Sequence, residues 1–281
     1  MQARTFRSAT GADIERIGRV LVASRVFPDL TAVRDTVAES PWRIQLSEPG
    51  DLAVVDRWRD HLDLLAVELL ICPQAAICGA MLQLRQLASS RGFGDVLSQP
   101  VPVEETREYE SAGMRVCEVI VTLALAAHDL RALPVALPEG IALRPWSPGE
   151  TAALLEADVQ CFDALWRYDA RHIDRLGAVH RLVLAERDGL IVGYTLSTVE
   201  RGEGTLGRVC VVPDERGRGI GTALVADAVA SMRDEGAERI VLCTQHDNAR
   251  SLRLYRHLGF RDTGRRHALL CFGVPHRDGG V

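Results

Sequence analysis

The 281-residue sequence contains no lysine; all 33 of its basic side chains are arginine, a bias that GC-rich coding accounts for. It has no basic run either. Residues 1–140 carry 14 Arg against 19 acids, and residues 141–281 carry 19 against 19. Nucleic-acid binding asks for a clustered basic face, so no nucleic-acid partner is expected. No apolar run approaches the ~18 residues of a membrane helix. The opening stretch Met1 to Arg7 lacks the apolar h-region of a signal peptide. The seven cysteines are odd in number and lack framework spacing. Cys72 and Cys78 have no second Cys pair or clustered His to complete a zinc site. Reduced thiols, a cytoplasmic location, no membrane association and no metal are therefore expected. Chain length leaves room for two domains of about 140 residues each.

What the sequence does have is a glycine-rich turn with charge beside it. An apolar strand-like run, Leu206 to Val212, leads into Pro213-Asp214-Glu215-Arg216-Gly217-Arg218-Gly219-Ile220-Gly221-Thr222. A helical stripe follows, with Ile220, Leu224, Val225, Val229 and Met232 on one side. Strand, glycine turn and helix start make an anion cradle: glycine backbones can point several N–H groups inward, and a helix N-terminus adds partial positive charge. Arg216 and Arg218 add two full charges, suited to phosphate through hydrogen bonds worth about 1.5–3 kcal/mol each. A P-loop would need Lys-Ser or Lys-Thr after the last glycine, where Thr222-Ala223 stands. A dinucleotide fingerprint would need one more spacer than Gly217-x-Gly219-x-Gly221 supplies. Arg216-x-x-Gly219-x-Gly221 fits the remaining pattern, Arg/Gln-x-x-Gly-x-Gly/Ala. A second segment, Asn248 to Phe260, reads as a short helix ended at Gly259 and a return into a strand.

Both segments resemble signatures of the GNAT superfamily of acyl-CoA-dependent N-acyltransferases, the second being Asn-x-x-Ala/Ser-x-x-x-Tyr-x-x-x-Gly-Phe, read here as Asn248, Ser251, Tyr255, Gly259 and Phe260. The resemblance implies an N-acetyltransferase that moves an acetyl group from acetyl-CoA, its cosubstrate, to a primary amine by direct attack. Such a reaction must take a proton from the amine, stabilise an oxyanion and protonate the thiolate. The resemblance assigns the pantetheine arm to backbone at Cys210, Val211 and Val212, and the pyrophosphate to Arg216, Gly217, Arg218, Gly219, Ile220, Gly221 and Thr222. Asn248 and Ser251 complete the cofactor-binding set. Tyr255 matches the general acid for the CoA sulfur, and Glu200 is the candidate base, with Glu203, His180 and His246 as alternatives. Plainer roles stand beside these: Tyr255 shares a face with Leu252 and Leu258 and could simply pack, Asn248 could be an N-cap, Cys210 a small buried apolar residue, and Glu200 an exposed turn charge. The most aromatic stretch, Cys161 to Asp169, reads either as core or as a pocket for an amine with an apolar body. A small-molecule amine is the favoured acceptor, in a monomer or homodimer. The rival reading is a non-catalytic acyl-CoA-binding sensor or scaffold.

The two halves read as repeats. Phe6-Arg7-Ser8-Ala9-Thr10-Gly11-Ala12-Asp13 recurs 137 residues later as Leu143-Arg144-Pro145-Trp146-Ser147-Pro148-Gly149-Glu150, each a short strand and a helix start. The expected division is 1–132, a degenerate GNAT-like domain; 133–140, a Pro-rich linker; and 141–281, an intact acetyl-CoA-binding domain. Laying Pro73 on Pro213 sets Ala76 against Arg216, Ile77 against Gly217 and Met81 against Gly221. β-Branched Ile77 disfavours the positive φ that a phosphate nest needs, so the cradle is expected to be lost there. Tyr109 and Gly113 keep the Tyr-x-x-x-Gly spacing. The expected fold class is α/β of the α+β type: two tandem GNAT-like domains, each a mixed, mostly antiparallel twisted sheet flanked by helices. In the second half the pattern predicts helix over 151–165, strands near 181–185, 191–198, 206–212 and 239–243, and two closing strands near 260–263 and 268–272.

Overall fold

The computed structural model describes residues 5–48, 50–59, 61, 63–126, 129 and 137–273; residues 133–136 of the expected linker lie outside them. The chain folds as two compact units, and these do not follow the linear halves. One unit comprises residues up to Glu118 together with the stretch from His267; the other comprises Val119 to Arg266.

In the first unit, β1 (Arg7–Ser8) is followed by helices α1 (Ile14–Ala23) and α2 (Leu30–Glu39). Strands β2 (Ile44–Leu46), β3 (Leu52–Arg57) and β4 (Leu64–Ile71) form an antiparallel run starting from β1. Helix α3 (Ile77–Ser90) leads to β5 (Asp95–Leu97), which pairs parallel with β4 over three residues, Leu64↔Asp95 to Ala66↔Leu97. Next come β6 (Val101–Pro102), the short helix α4 (Arg107–Ser111) and β7 (Arg115–Ala126), whose residues from Val119 onward belong to the second unit. Helix α3 buries Ala80, Met81, Leu84 and Ala88, a helical stripe. These meet Leu65, Val96, Met114 and Leu270 in one core; a second core joins Leu21, Phe27 and Val33 to Ile44, Leu46 and Val54.

The second unit holds β8 (Ala142–Pro145), α5 (Thr151–Cys161), α6 (Ala170–Val179), β9 (Arg181–Arg187), β10 (Leu190–Glu200), β11 (Glu203–Val211), α7 (Ile220–Asp234), β12 (Arg239–Gln245), α8 (Ala249–His257) and β13 (Arg261–Cys271) up to Arg266. Strands β8 to β11 form an antiparallel run, β12 joins β11 in parallel, and residues 120–126 of β7 pair antiparallel with β12. Each unit is thus a mixed, mostly antiparallel sheet flanked by helices.

Two expectations are corrected. The helix predicted over 151–165 stops at Cys161: Phe162 is extended (φ −128°, ψ 142°), and a 3-10 turn, Ala164–Trp166, follows. The two predicted closing strands are one continuous strand, β13. Its polar middle bends at Gly264 (φ +79°), where Asp262 accepts from the Gly264 N–H (2.8 Å), and pairing carries it onward rather than back. Its far end, from His267, belongs to the first unit, where it pairs with β5 and β6.

The helix starts are built alike. In the first unit Arg7 reaches Asp13 through two hydrogen bonds of 2.8 Å, and Asp13 also accepts from the Thr10 N–H at 2.8 Å. In the second, Arg144 reaches Glu150 at 3.0 and 2.6 Å, and Glu150 accepts from the Ser147 N–H at 2.8 Å. Each acid sits at the start of a helix, where a carboxylate satisfies otherwise unpaired N–H groups.

Candidate functional site

The glycine turn forms a backbone nest. After β11, the Val212 N–H donates to Val192 O (3.0 Å), and Pro213–Glu215 makes one 3-10 turn. Gly217 (φ +79°) and Gly219 (φ +84°, ψ −5°) are both left-handed, and Gly219 is the N-cap of α7. A side chain at either position would be strained. Among the described residues, no backbone acceptor is found for the N–H groups of Gly217 to Thr222, and α7 makes its first return bond at Ala223 N–H to Gly219 O. Six successive donors at a helix start are an anion-binding arrangement. Arg218 is exposed beside them, 3.6 Å from Glu215. Arg216 folds back, its Nε donating to Val211 O at 2.9 Å.

Beside the nest, β11 parts from β12. Their parallel register runs only from Glu203↔Arg239 to Thr205↔Val241, although β11 continues to Val211 and β12 to Gln245. Beyond Thr205, no pairing of β11 with β12 is found among the described residues; Cys210 and Val211 lie on this stretch. Cys210 itself is buried, 1% exposed, with its side chain toward Ala157 O of α5 (3.5 Å).

Helix α8 packs against the start of α7: a Cβ at Gly221 would lie 3.4 Å from Leu254 Cδ2 and 3.6 Å from Val211 Cγ2. The loop, the end of β11 and the Asn248 helix therefore meet. Asn248 caps α8, accepting from the Ser251 N–H (3.0 Å). Tyr255 is buried at 7% exposure among Val225, Leu252, Leu258 and Phe260, edge-on to Phe260 (5.8 Å), in a core that Val209 of β11 also touches. Burial pushes its phenol pKa up, so its oxygen holds its proton.

Glu200 and Glu203 are not brought to this place. They face each other across the Arg201-Gly202 turn at the opposite end of β11. Eight residue steps at ~3.4 Å put Glu203 roughly 27 Å from Val211.

One cluster escaped the sequence reading. Arg208 of β11 is buried at 6% exposure with Asp158 of α5 and Tyr194 of β10, both at 0%. Arg208 donates to Asp158 through Nε (2.8 Å) and Nη2 (2.6 Å), and Tyr194 donates its hydroxyl to the same carboxylate. The guanidinium is sandwiched between Phe162 (3.5 Å) and Tyr168 (4.0 Å), whose own N–H donates to Asp158 (3.1 Å). The aromatic stretch 161–169 is thus folded onto a buried ion pair. Asp169 caps α6 through the His172 N–H (2.7 Å). The signal was present: Arg208 occupies an inward position of an alternating strand, between Leu206 and Cys210, and Asp158 lies four residues after Leu154 on the buried face of α5.

Comparison with known proteins agrees with this geometry. Residues 148–260 match the model of the Acetyltransferase (GNAT) family. An uncharacterised N-acetyltransferase of Mycobacterium bovis is 31% identical over 146 residues, covering 50% of this chain and 84% of that protein. The chain belongs to the GNAT family. A mycothiol acetyltransferase of Thermobispora bispora is 33% identical over 144 residues, 44% of this chain and 48% of the relative; the match thus spans about half the length of that protein. Among solved structures, a GCN5-related N-acetyltransferase from Sphaerobacter thermophilus superposes with a TM-score of 0.67 at 22% identity, covering 96% of both chains. A tandem GNAT protein from the clavulanic acid biosynthesis pathway gives 0.70 at 17%, covering 95% of this chain and 98% of that one. Both share the fold.

Proposed function

We propose that the second unit binds acetyl-CoA and acetylates a primary amine on a small molecule. The observation that carries this reading is the run of N–H groups from Gly217 to Thr222 with no backbone acceptor among the described residues, set at the end of a strand whose neighbour has parted from it. The fit to the cosubstrate is chemical. A pyrophosphate has the charge and the acceptors that this nest lacks, and Arg218 stands exposed to add a cation. Val211, Val212 and the open edge of β11 offer backbone groups to a pantetheine arm, with Asn248 and Ser251 at the nearby start of α8. Acetyl-CoA supplies an activated thioester when bound. Tyr255 keeps its proton because it is buried, and it is the residue we assign to protonating a thiolate. Glu200 stands too far along β11 to reach an amine held near Val211; the base we assign is therefore a water rather than that carboxylate.

The mycothiol acetyltransferases among the relatives favour a small-molecule acceptor, and amines related to mycothiol are the first to try. Calorimetric titration of acetyl-CoA, followed by thiol release from acetyl-CoA across an amine panel, tests the reading. One site per chain and amine-dependent thiol release are expected. Absence of binding would remove the proposal, and binding without turnover on any amine would reduce it to a binding protein.

A further inference from the structure

The side chain of Arg216 turns back along the chain. Its Nε donates to Val211 O (2.9 Å) and its own N–H to Pro213 O (3.2 Å), so it closes a loop around the 3-10 turn Pro213–Glu215. The carbonyl it takes has lost its strand partner. Cys210 and Val212 both turn backbone groups toward β10: the Val212 N–H donates to Val192 O (3.0 Å), and a Cβ at Gly193 would lie 2.5 Å from Cys210 O. Backbone groups alternate sides along a paired strand, so Val211 between them aims its carbonyl at the other edge. Along that edge no pairing with β12 is found beyond Thr205 among the described residues. Arg216 supplies the donor that β12 does not. The next residue, Gly217 at φ +79°, opens the nest. Arg216 is half-buried, whereas Arg218 is exposed. In the first unit Ala76 stands where Arg216 does, with no side chain that could return, and the chain winds directly into α3.

We propose that Arg216 is a positioning residue, a clip that works through its Nε–H donor rather than through its charge. Committed to Val211 O, it acts on a ligand through the backbone: it fixes the end of β11 and, through the turn it closes, the point from which Gly217 enters the nest. Arg218 is left as the cation beside a bound phosphate. The effect of the clip on acetyl-CoA rests on the proposed function; the clip itself does not. Donor and charge can be separated by substitution. The Nε2 of glutamine hangs from Cδ as the Nε of arginine does, so Arg216→Gln keeps a donor at the same reach and removes the charge. Arg216→Lys keeps the charge and moves the donor one carbon further out.

The test is calorimetry of acetyl-CoA with the whole protein and with its Arg216→Gln, Arg216→Lys and Arg216→Ala variants. Arg216→Gln should stay within about 3-fold of the wild-type affinity, and Arg216→Lys and Arg216→Ala should each bind about tenfold more weakly, the effect of one lost hydrogen bond. Arg216→Gln should also keep the wild-type dependence of affinity on salt, because an ion pair to phosphate would be screened and a neutral donor is not. Arg216→Lys binding as tightly as Arg216→Gln or more tightly, or a flattened salt dependence in Arg216→Gln, would overturn the proposal. If the wild-type protein binds no acetyl-CoA, the proposed function falls and hydrogen exchange decides the clip. The Glu215 and Arg216 amides, which donate to Val212 O and Pro213 O, should then exchange at the wild-type rate in Arg216→Gln and several-fold faster in Arg216→Lys. Equal exchange in the two variants would remove the clip.

Discussion

The two units differ most where a strand hands over to a helix, and share most elsewhere. Both have the Arg–acid clamp at their first helix, a parallel pair of three residues, and a helix ended by glycine after a buried tyrosine. Gly113 (φ +92°) and Gly259 (φ +93°) are both left-handed; the Met114 N–H returns to Tyr109 O (3.2 Å) as the Phe260 N–H does to Tyr255 O (2.9 Å). After Pro73, however, one 3-10 turn runs directly into α3, and Ile77 is right-handed (φ −55°, ψ −49°) where Gly217 has φ +79°. Helix α3 begins at the position of Gly217, whereas α7 begins three residues later, at Ile220. Those three residues are the nest. In the first unit they have been wound into helix, so their N–H groups no longer converge on an outside anion. A helix gains by starting early unless glycines hold it open.

The largest expected effect is at that handover. Gly219→Glu introduces a side chain at φ +84° and a carboxylate into the nest. Loss of two charge-assisted bonds at about 1.5–3 kcal/mol each should weaken acetyl-CoA by at least ~100-fold in calorimetry. Binding that survives this change would break the contrast between the units, as would a stoichiometry of two. Asp158→Asn comes next. It leaves Arg208 buried without its counter-charge, a change that typically costs about 3–5 kcal/mol, and it should lower the melting temperature of the second unit. A small shift would show that the aromatic sandwich alone holds the guanidinium.

Tyr255→Phe should reduce turnover by roughly 100-fold while leaving acetyl-CoA affinity nearly unchanged. Tyr109→Phe should leave turnover alone. Burial pushes both phenols up, Tyr109 to about 12. Because the neutral form is favoured, Tyr255 should contribute no falling limb to the pH–rate profile below about pH 10; a limb there that disappears in Tyr255→Phe would contradict its burial. The smallest effects are at the clamps. Asp13→Asn and Glu150→Gln should each cost about 1 kcal/mol in denaturant unfolding. Arginine holds both carboxyls below their ordinary values in the folded state. Their contribution is therefore present above about pH 4 and fades as pH falls below the carboxylates' ordinary range. Asp13→Asn should flatten the acid limb of the stability curve.

The repeats, the strand–glycine–helix order and most element positions were legible in the chain because they rest on local chemistry. Leu64–Ile71 is a strand as its apolar run predicts, and Ile77 opens a helix where glycine would open a loop. Helix 151–165 was overestimated because Phe162 leaves the helix to stack on Arg208, a partner 46 positions away. Glu200 looked adjacent to the loop in sequence, yet the length of β11 carries it to the far end of the strand.

By itself, then, the sequence determined which turn could present donors to an anion, because positive φ and missing side chains are properties of single residues. It also determined that only one copy of that turn remains. The tertiary structure decided what long-range pairing decides: the parting of β11 from β12, the burial of Arg208 against Asp158, and the assignment of β13 to two units. Period-2 and period-3.6 patterns report which face of an element is buried, but not which partner covers it, since any apolar face of similar size lowers the free energy about as well.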